Sequence, residues 1–223
     1  GINDKTVDVI IDLLTENEKE LKDMINDSNN KGETLYLLFA TSHQFKLMNK
    51  IVKIGARQTD KDISQNNALQ RIIDSPIAKN MDIFDDVLEL VHQYPEMILQ
   101  RNRKGENAFH IAVRHGFNGI IGIMSNVYPV CLLDELSEKL DSTSLHIACI
   151  WNQPTTIRYL IESLHVDPNI RNSKGQTPLH IAAVQSSSES FSELISHGAN
   201  PLLVDSYDQN PVHYGVELGC SNI

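Results

Sequence analysis

The sequence has little of what several protein classes require. Its 223 residues include three cysteines and one tryptophan, and aromatic residues make up 6% of the chain. Three widely spaced cysteines favour a reducing compartment over a disulfide framework. No stretch approaches the roughly 20 apolar residues of a membrane helix, and the N-terminal residues do not form a signal peptide. We therefore expect a cytoplasmic protein, or one shared with the nucleus, with no membrane segment.

Basic residues are also scarce. Nineteen lysines and arginines stand against 29 acidic residues, so the formal net charge is −10. An acidic chain is a poor partner for nucleic acid or an anionic membrane, and we expect no direct nucleic-acid binding. The 41% of apolar and 22% of charged residues are typical of a folded soluble protein, which excludes disorder as the default.

Motifs for catalysis, cofactor binding and metal binding are missing. The sequence has no H-E-x-x-H, G-x-S-x-G, P-loop or C-x-x-C pattern. Gly116, Gly119 and Gly122 do not have the spacing of a dinucleotide-binding turn. We therefore predict a protein that is not an enzyme, has no catalytic residues, and holds neither a cofactor nor a metal.

An internal repeat is the main positive feature. Four segments align on a histidine, and the histidines are separated by 36, 34 and 33 residues. The same apolar positions recur in two earlier segments, where Leu37 and Gln70 replace the histidine. Together they make six units, with motifs at 34–37, 67–70, 107–112, 143–148, 177–182 and 210–215.

Each unit predicts a pair of helices. Thr177 and Pro178 are typical of a helix start, because threonine caps backbone N–H groups and proline needs no donor there. Second helices are predicted over 191–196, ended by Gly198, and over 83–93. A pair with one apolar side cannot bury that side alone, so the core must come from stacking.

These motifs resemble the ankyrin repeat, whose hallmark is G-x-T-P-L-H-x-A-A followed by G-A-D/N about 18 residues later. The match is strongest from 175 to 200. The resemblance implies an all-α ankyrin-repeat solenoid of stacked helix-turn-helix units with β-turn fingers over 32–223. Residues 1–31 would form N-terminal capping helices or a degenerate repeat. The sixth unit stops inside its loop, so we expect the natural chain to continue.

Two insertions interrupt the period. About seven extra residues fall within 75–82, where Pro76 should stop the preceding helix, and three more fall around 128–134. Either they lengthen loops by drift or they shape a binding surface.

The resemblance gives the motif histidines a structural role, with each ring hydrogen-bonded to loop backbone or to the motif threonine. They are too far apart to share a metal. Cys149 is predicted to be a small buried residue, and Cys131 and Cys220 have no neighbours that would activate a thiol. The serines within 186–192 form either a polar loop with a helix cap or a site for an acid-preferring kinase.

The resemblance also implies a concave face, formed by the fingers and the ends of the inner helices, on which a protein partner docks. The candidate contact residues at these positions are Arg103, Lys104, Arg114, His115, Ile150, Trp151, Ser173, Lys174, Gln185 and Tyr207. Trp151 is either an exposed anchor or a core residue packed under a finger. The basic residues, with Arg101 and Arg171, would receive an acidic or phosphorylated segment, or they are merely solvated charges.

The function that the resemblance implies is a non-catalytic scaffold or regulator that binds a protein partner. The repeat number and the acidic flanks are similar to those of inhibitors of Rel/NF-κB transcription factors. The alternative is a regulatory ankyrin domain of a larger enzyme or ion channel, whose catalytic or membrane part lies outside this chain.

Overall fold

The computed structural model describes residues 4–76, 78, 83–128 and 141–217. The chain divides into two compact units, Gly1–Arg103 and Lys104–Ile223. This division falls inside the predicted repeat domain, and a boundary between residues 31 and 32 stays a prediction. Cys131, Cys220, the insertion after residue 128 and most of the insertion within 75–82 lie outside the described residues.

The regular elements described in the first unit are helices. They are α1 (Asp4–Glu16), α2 (Glu18–Met24), α3 (Leu35–Thr41), α4 (Phe45–Ile54), α5 (Ala68–Ile73), α6 (Phe84–Gln93) and a 3₁₀ turn (Pro95–Ile98). Inner helix α3 packs against its partner α4 and against the next inner helix α5, which packs on α6 and on the 3₁₀ turn. The N-terminal helices α1 and α2 pack on α4.

The second unit continues the pattern of helix pairs. Its helices are α7 (Ala108–His115), α8 (Asn118–Val127), α9 (Ser144–Ile150), α10 (Pro154–Glu162), α11 (Pro178–Val184), α12 (Ser188–Ser196) and α13 (Pro211–Glu217). The inner helices α7, α9, α11 and α13 pack in succession, and the outer helices α10 and α12 pack on each other. The expectation of an all-α fold built from helix pairs is confirmed.

Two predicted boundaries need correction. Helix α12 begins at Ser188 rather than at residue 191, because polar Ser188 and Glu189 form its first turn ahead of the apolar Phe191. Helix α6 begins at Phe84 rather than at residue 83, since Ile83 is its N-cap residue. The predicted start of α11 is confirmed, with Thr177 as N-cap and Pro178 in its first turn.

The core is built from the same motif position in each repeat. The residue just before the motif histidine, or before the Leu37 or Gln70 that replaces it, is almost fully shielded from solvent in every repeat but the last. Burying such a side chain contributes roughly 1.5–3 kcal/mol. These residues are Tyr36, Leu69, Phe109, Leu145 and Leu179. The apolar spacing of the motif therefore sets the packing of the stack.

The turns between repeats share one hydrogen-bond pattern. A side-chain oxygen accepts backbone N–H groups from the residues two and four positions later, as Asn172 does from Lys174 and Gln176 at 3.0 Å each. The same pattern is made by Asn29, Asp62 and Asp205. Three residues after the accepting residue, the backbone takes a left-handed conformation, with φ +70° at Gly32 and +73° at Gly175.

Gln65 occupies this left-handed position with φ +62°. A residue with a Cβ is disfavoured there by about 1–2 kcal/mol, and part of the gain from glycine is offset by the freedom of the unfolded chain. We expect Gln65→Gly to raise the free energy of unfolding by about 0.5–1 kcal/mol, measured by urea titration. Gly32→Gln is the reverse control, because a Cβ at Gly32 would lie 2.9 Å from the Ile63 nitrogen. A lower urea midpoint for Gln65→Gly would contradict the prediction.

Candidate functional site

The motif histidines join each inner helix to the following finger. His180 accepts at Nδ1 from the backbone N–H of Thr177 at 3.0 Å, and the Thr177 hydroxyl lies 2.8 Å from the same atom. Its Nε2 then donates to the Gln209 carbonyl at 3.0 Å. His146 contacts Thr143 and the Gln176 carbonyl in the same way, at 2.8 and 2.9 Å. The structural role predicted for these rings is confirmed.

Burial also determines the charge of these rings. Burial lowers the pKa of His146 to about 4, and its hydrogen bond to the Gln176 carbonyl only partly opposes this. Burial likewise lowers the pKa of His180. Both rings are therefore neutral at physiological pH, as an Nδ1 that only accepts requires.

Cys149 has the environment of a packing residue. Cys149 is completely buried, and burial raises the pKa of its thiol, as expected for a packing residue. Within the described ranges, no three His, Cys, Asp or Glu side chains come together in a group that could hold a metal ion.

Trp151 is the largest exposed candidate residue. It follows the last residue of α9, and 51% of its surface is exposed, so the alternative of a buried core residue is wrong. The Arg114 guanidinium carbon lies 5.7 Å from the centre of the Trp151 ring. A cation at this distance from an indole is a cation–π contact, which helps to hold the ring in place while about half of its surface remains exposed.

Arg114 is largely engaged within the protein. Its side chain is only 13% exposed and lies 3.4 Å from the carboxylate of Glu106, which is 5% exposed. The neighbouring His115 ring stacks on Phe117 with ring centres 5.5 Å apart. Arg114 therefore contacts both Glu106 and Trp151, whereas the ring contact of His115 is with Phe117.

The finger residues provide the exposed polar part of the face. The Ser173 backbone N–H and hydroxyl donate to the Asp141 carboxylate, while the Lys174 backbone carbonyl accepts from Ser206 at 3.0 Å. The side chains of Lys104 and Lys174 are exposed, and Tyr207 is 69% exposed. The fingers thus have fixed backbones and outward-facing side chains.

The other basic candidates are placed differently. Arg171 donates to the backbone carbonyl of Val204 at 2.8 Å, so it helps to hold the next finger. Arg103 is exposed but belongs to the first unit, where its N–H donates to the Ser64 carbonyl at 2.8 Å. A single basic stripe that includes Arg101 and Arg103 stays a prediction. Of the remaining candidates, Ile150 is half-buried and Gln185 is exposed.

An ion-pair network in the first unit was not predicted from the sequence. The two terminal nitrogens of Arg71 each lie 2.7 Å from a carboxylate, one from Asp62 and one from Glu33. Its Nε donates to the Thr41 hydroxyl at 2.6 Å. The pKa of Glu33 is lowered by hydrogen bonds from Asn29 and Arg71 and by the Arg71 charge. Burial acts to raise the pKa of Asp62, but its hydrogen bonds outweigh burial and lower it.

A second missed feature lies after α2. Asn26 donates to the Gly55 carbonyl at 3.2 Å and accepts from the Arg57 N–H at 2.8 Å. Asn169 makes the same two bonds with Gly198 and Asn200. Each asparagine stands six residues before a finger glycine, a spacing that was visible in the sequence. The segment before the first repeat thus contacts it as one repeat contacts the next.

Comparison with known proteins places these features in one family. A family model described as ankyrin repeats (3 copies) matches residues 77–172 and 145–223. The solved ankyrin repeat domain of Bcl-3, described as a unique member of the IkappaB protein family, is similar with a TM-score of 0.71. It is 18% identical, over 94% of this chain and 88% of that one, which shows the fold.

Two curated relatives are matched over part of their length, about 60% of one and a quarter of the other. The probable 26S proteasome regulatory subunit p28 of Saccharomyces cerevisiae is 28% identical over 137 residues, 61% of this chain and 60% of p28. NF-kappa-B inhibitor alpha of Sus scrofa is 31% identical over 87 residues, 39% of this chain and 27% of that protein. In the described part of the chain, no helix has both the length and the apolar character needed to cross a membrane.

Proposed function

Because the chain belongs to the ankyrin-repeat family, we propose that it is a non-catalytic regulator that binds an acidic protein segment through the concave face of its second unit. The observation that carries this proposal is Trp151, half exposed on a face whose outermost fingertip charges include Lys104 and Lys174. Ankyrin repeats generally serve as interaction modules, so the specificity of this chain lies in such side chains.

Trp151 supplies the apolar part of the proposed contact. Trp151 follows the half-buried Ile150 in the chain, and Val184 at the end of the next inner helix is 37% exposed. An indole already held by Arg114 loses little freedom when a partner covers it. Aromatic side chains placed in this way supply most of the energy in many interfaces. An apolar side chain of the partner would cover this ring.

Lys104 and Lys174 supply the electrostatic part. Both are exposed at the tips of fingers, whereas the acidic Glu106 of the same face is buried against Arg114. The exposed charge offered by these two fingers is therefore positive, although the whole chain carries −10. A segment rich in Asp, Glu or phosphorylated residues would be attracted here, and its binding would weaken with salt.

Trp151 also provides the measurement, since it is the only tryptophan of the chain. We would titrate the protein with peptides that carry a central leucine between glutamates and follow the tryptophan emission. Because Trp151→Phe and Trp151→Ala both lack the fluorescent residue, their affinities for the peptide would be measured by calorimetry and compared with that of the wild type. We expect Trp151→Ala to weaken binding by about 30-fold and Lys174→Glu by about tenfold.

Matched controls separate the face from general charge. Lys53→Glu changes the charge equally at an exposed position of α4 in the first unit, and Leu202→Ala removes a side chain that is 75% exposed. Neither should alter binding by more than about twofold. Equal binding of peptides with lysine in place of every glutamate would overturn the proposal.

For the pathway, we propose an inhibitor of a Rel/NF-κB-type transcription factor, supported by the similarity to NF-kappa-B inhibitor alpha over 87 residues. The test is calorimetric titration with a purified Rel homology domain, using Trp151→Ala as the matched variant. If the Rel homology domain binds the wild type and binds Trp151→Ala more weakly, the proposal of an inhibitor is supported. No binding leaves the regulatory domain of a larger protein as the alternative, with the concave face still tested by the peptides above.

A further inference from the structure

The serine-rich turn between α11 and α12 lies beside the concave face of the second unit. The structure separates its serines by burial. Ser187 is 8% exposed, and Ser190 is completely buried, with its hydroxyl donating to the Asn152 side chain at 2.8 Å. Ser186, Ser188 and Ser192 are exposed. Three of the five serines are therefore at the surface, where a modifying enzyme can reach the segment.

The acidic residues of the segment divide the serines in another way. Protein kinases that prefer acidic substrates read a carboxylate three residues after the serine. Ser186 has Glu189 at this distance and Ser190 has Glu193, whereas Ser188 and Ser192 have none. Ser186 alone among these serines combines the acidic residue with exposure.

The local backbone can carry a phosphate at Ser186. The residue has φ +54° and lies in the turn, two positions before the first residue of the nine-residue helix α12. The N–H of Ser188 donates to its carbonyl at 3.1 Å, and the N–H of Ser187 donates to the Ala182 carbonyl at 3.0 Å. The positive end of the α12 dipole faces this turn and favours an anion there. Backbone bonds fix the turn, so a phosphate need not unfold it.

We propose that Ser186 is a phosphorylation site for an acid-directed kinase and that its phosphate weakens binding of the acidic partner. The γ-phosphoryl group of ATP moves to the Ser186 Oγ: an O–P bond forms, the bond to ADP breaks, and the hydroxyl proton is released. The phosphate adds a charge of about −1.5 to −2 directly beside Gln185 on the concave face. The effect on binding rests on the proposed function, whereas the modification itself does not.

The first test is modification of the whole chain by casein kinase 2 with ATP, read by site-resolved mass spectrometry. We expect a phosphate on Ser186, none on the buried Ser190, and slower labelling of Ser186 in Glu189→Gln. Ser192→Ala is the matched control and should be labelled at Ser186 like the wild type. A Ser186 that stays unmodified while other sites are labelled overturns the proposal.

The second test measures the acidic leucine peptide against phosphorylated and unphosphorylated protein. We expect about tenfold weaker binding after phosphorylation, from like-charge repulsion at about 10 Å, and a smaller difference at high salt. Ser186→Ala treated with the kinase should bind as before, which excludes phosphates at Thr15 and Thr59, where an acidic residue has the same spacing. Unchanged affinity with Ser186 fully modified overturns the switch. If the unmodified chain does not bind the peptide, the proposed function and the switch both fail, and mass spectrometry alone decides the modification.

Discussion

Replacing Arg71 by methionine is expected to lower the free energy of unfolding by about 3–5 kcal/mol at pH 7. The guanidinium is only 16% exposed and neutralises two carboxylates, those of Glu33 and Asp62, which are 11% and 6% exposed. Methionine keeps much of the side-chain length but removes the cation that both buried acids share. Removing one member of a buried charge network leaves the others uncompensated, which is why the expected effect is large.

The dependence on pH identifies this mechanism. In the wild type the pKa values of Glu33 and Asp62 are lowered, so their stabilisation is present above the pKa values of the unfolded chain and is lost as pH falls through the folded ones. In Arg71→Met the two acids repel each other and bind protons readily. The difference between wild type and variant should therefore be largest at pH 7 and should shrink toward pH 4.

Urea unfolding at pH 7 and pH 4.5 measures both effects. Arg57→Met is the matched control, because this arginine is 62% exposed beside Asp60 and its loss should change stability by under about 1 kcal/mol. Adding Glu33→Gln and Asp62→Asn to Arg71→Met should recover much of the stability. An equal loss at both pH values would show that lost packing, rather than uncompensated charge, destabilises the variant.

The motif was enough to predict the helix pairs, because the signals that form them are local. Thr177 and Pro178 begin α11 where expected, and the residue before the motif histidine packs into the core in every repeat but the last. The start of α12 was missed, because a serine at the N-cap position and a polar first turn leave no apolar signal at Ser188. Local composition therefore predicts which helices exist better than where they begin.

The candidate site was predictable in its exposure and less so in its contacts. The repeat register left Trp151 as either an exposed anchor or a core residue, and the structure has it exposed at a helix end. It did not show that Arg114 is held by Glu106, or that Arg71 joins two fingers, since each pair joins a helix residue to a finger residue and depends on how the chain folds between them. Arg71 stands where other motifs carry isoleucine, and Tyr214 at the same position donates to Asp205 at 2.6 Å. An unusual residue at an apolar motif position was the available signal.

The second large effect concerns acid and the motif histidines. The folded protein keeps His146 neutral down to a pKa of about 4, whereas in the unfolded chain it accepts a proton below its ordinary pKa of 6.5. Since the unfolded state binds more protons between these values, the stability due to a neutral His146 is present above pH 6.5 and is lost as pH falls toward 4. The full loss from this one ring is about 3 kcal/mol.

The first unit contains a replacement that does not titrate. Gln70 stands at the histidine position of its motif, accepts from the Asn67 N–H at 2.9 Å and donates to the Gln100 carbonyl at 2.9 Å. A glutamine at 146 can thus make the bonds of a neutral ring, to the Thr143 N–H and the Gln176 carbonyl. We expect His146→Gln to change stability by no more than about 1 kcal/mol at pH 8 and to flatten the loss between pH 6.5 and 4.

Thermal or urea unfolding across pH 8 to 4.5 checks this expectation, with His92→Gln at an exposed position of α6 as the control for losing one histidine. Burial also lowers the pKa of His180, so His146→Gln with His180→Gln should flatten the curve further. Because acid weakens the bonds between an inner helix and the next finger, the wild type should lose the repeats of its second unit first, visible as early exposure of their amides to hydrogen exchange. If the free energy of unfolding of His146→Gln falls with pH as steeply as that of the wild type, another group controls acid unfolding, and the neutral His146 does not stabilise the contact between α9 and the finger of Gln176 as proposed.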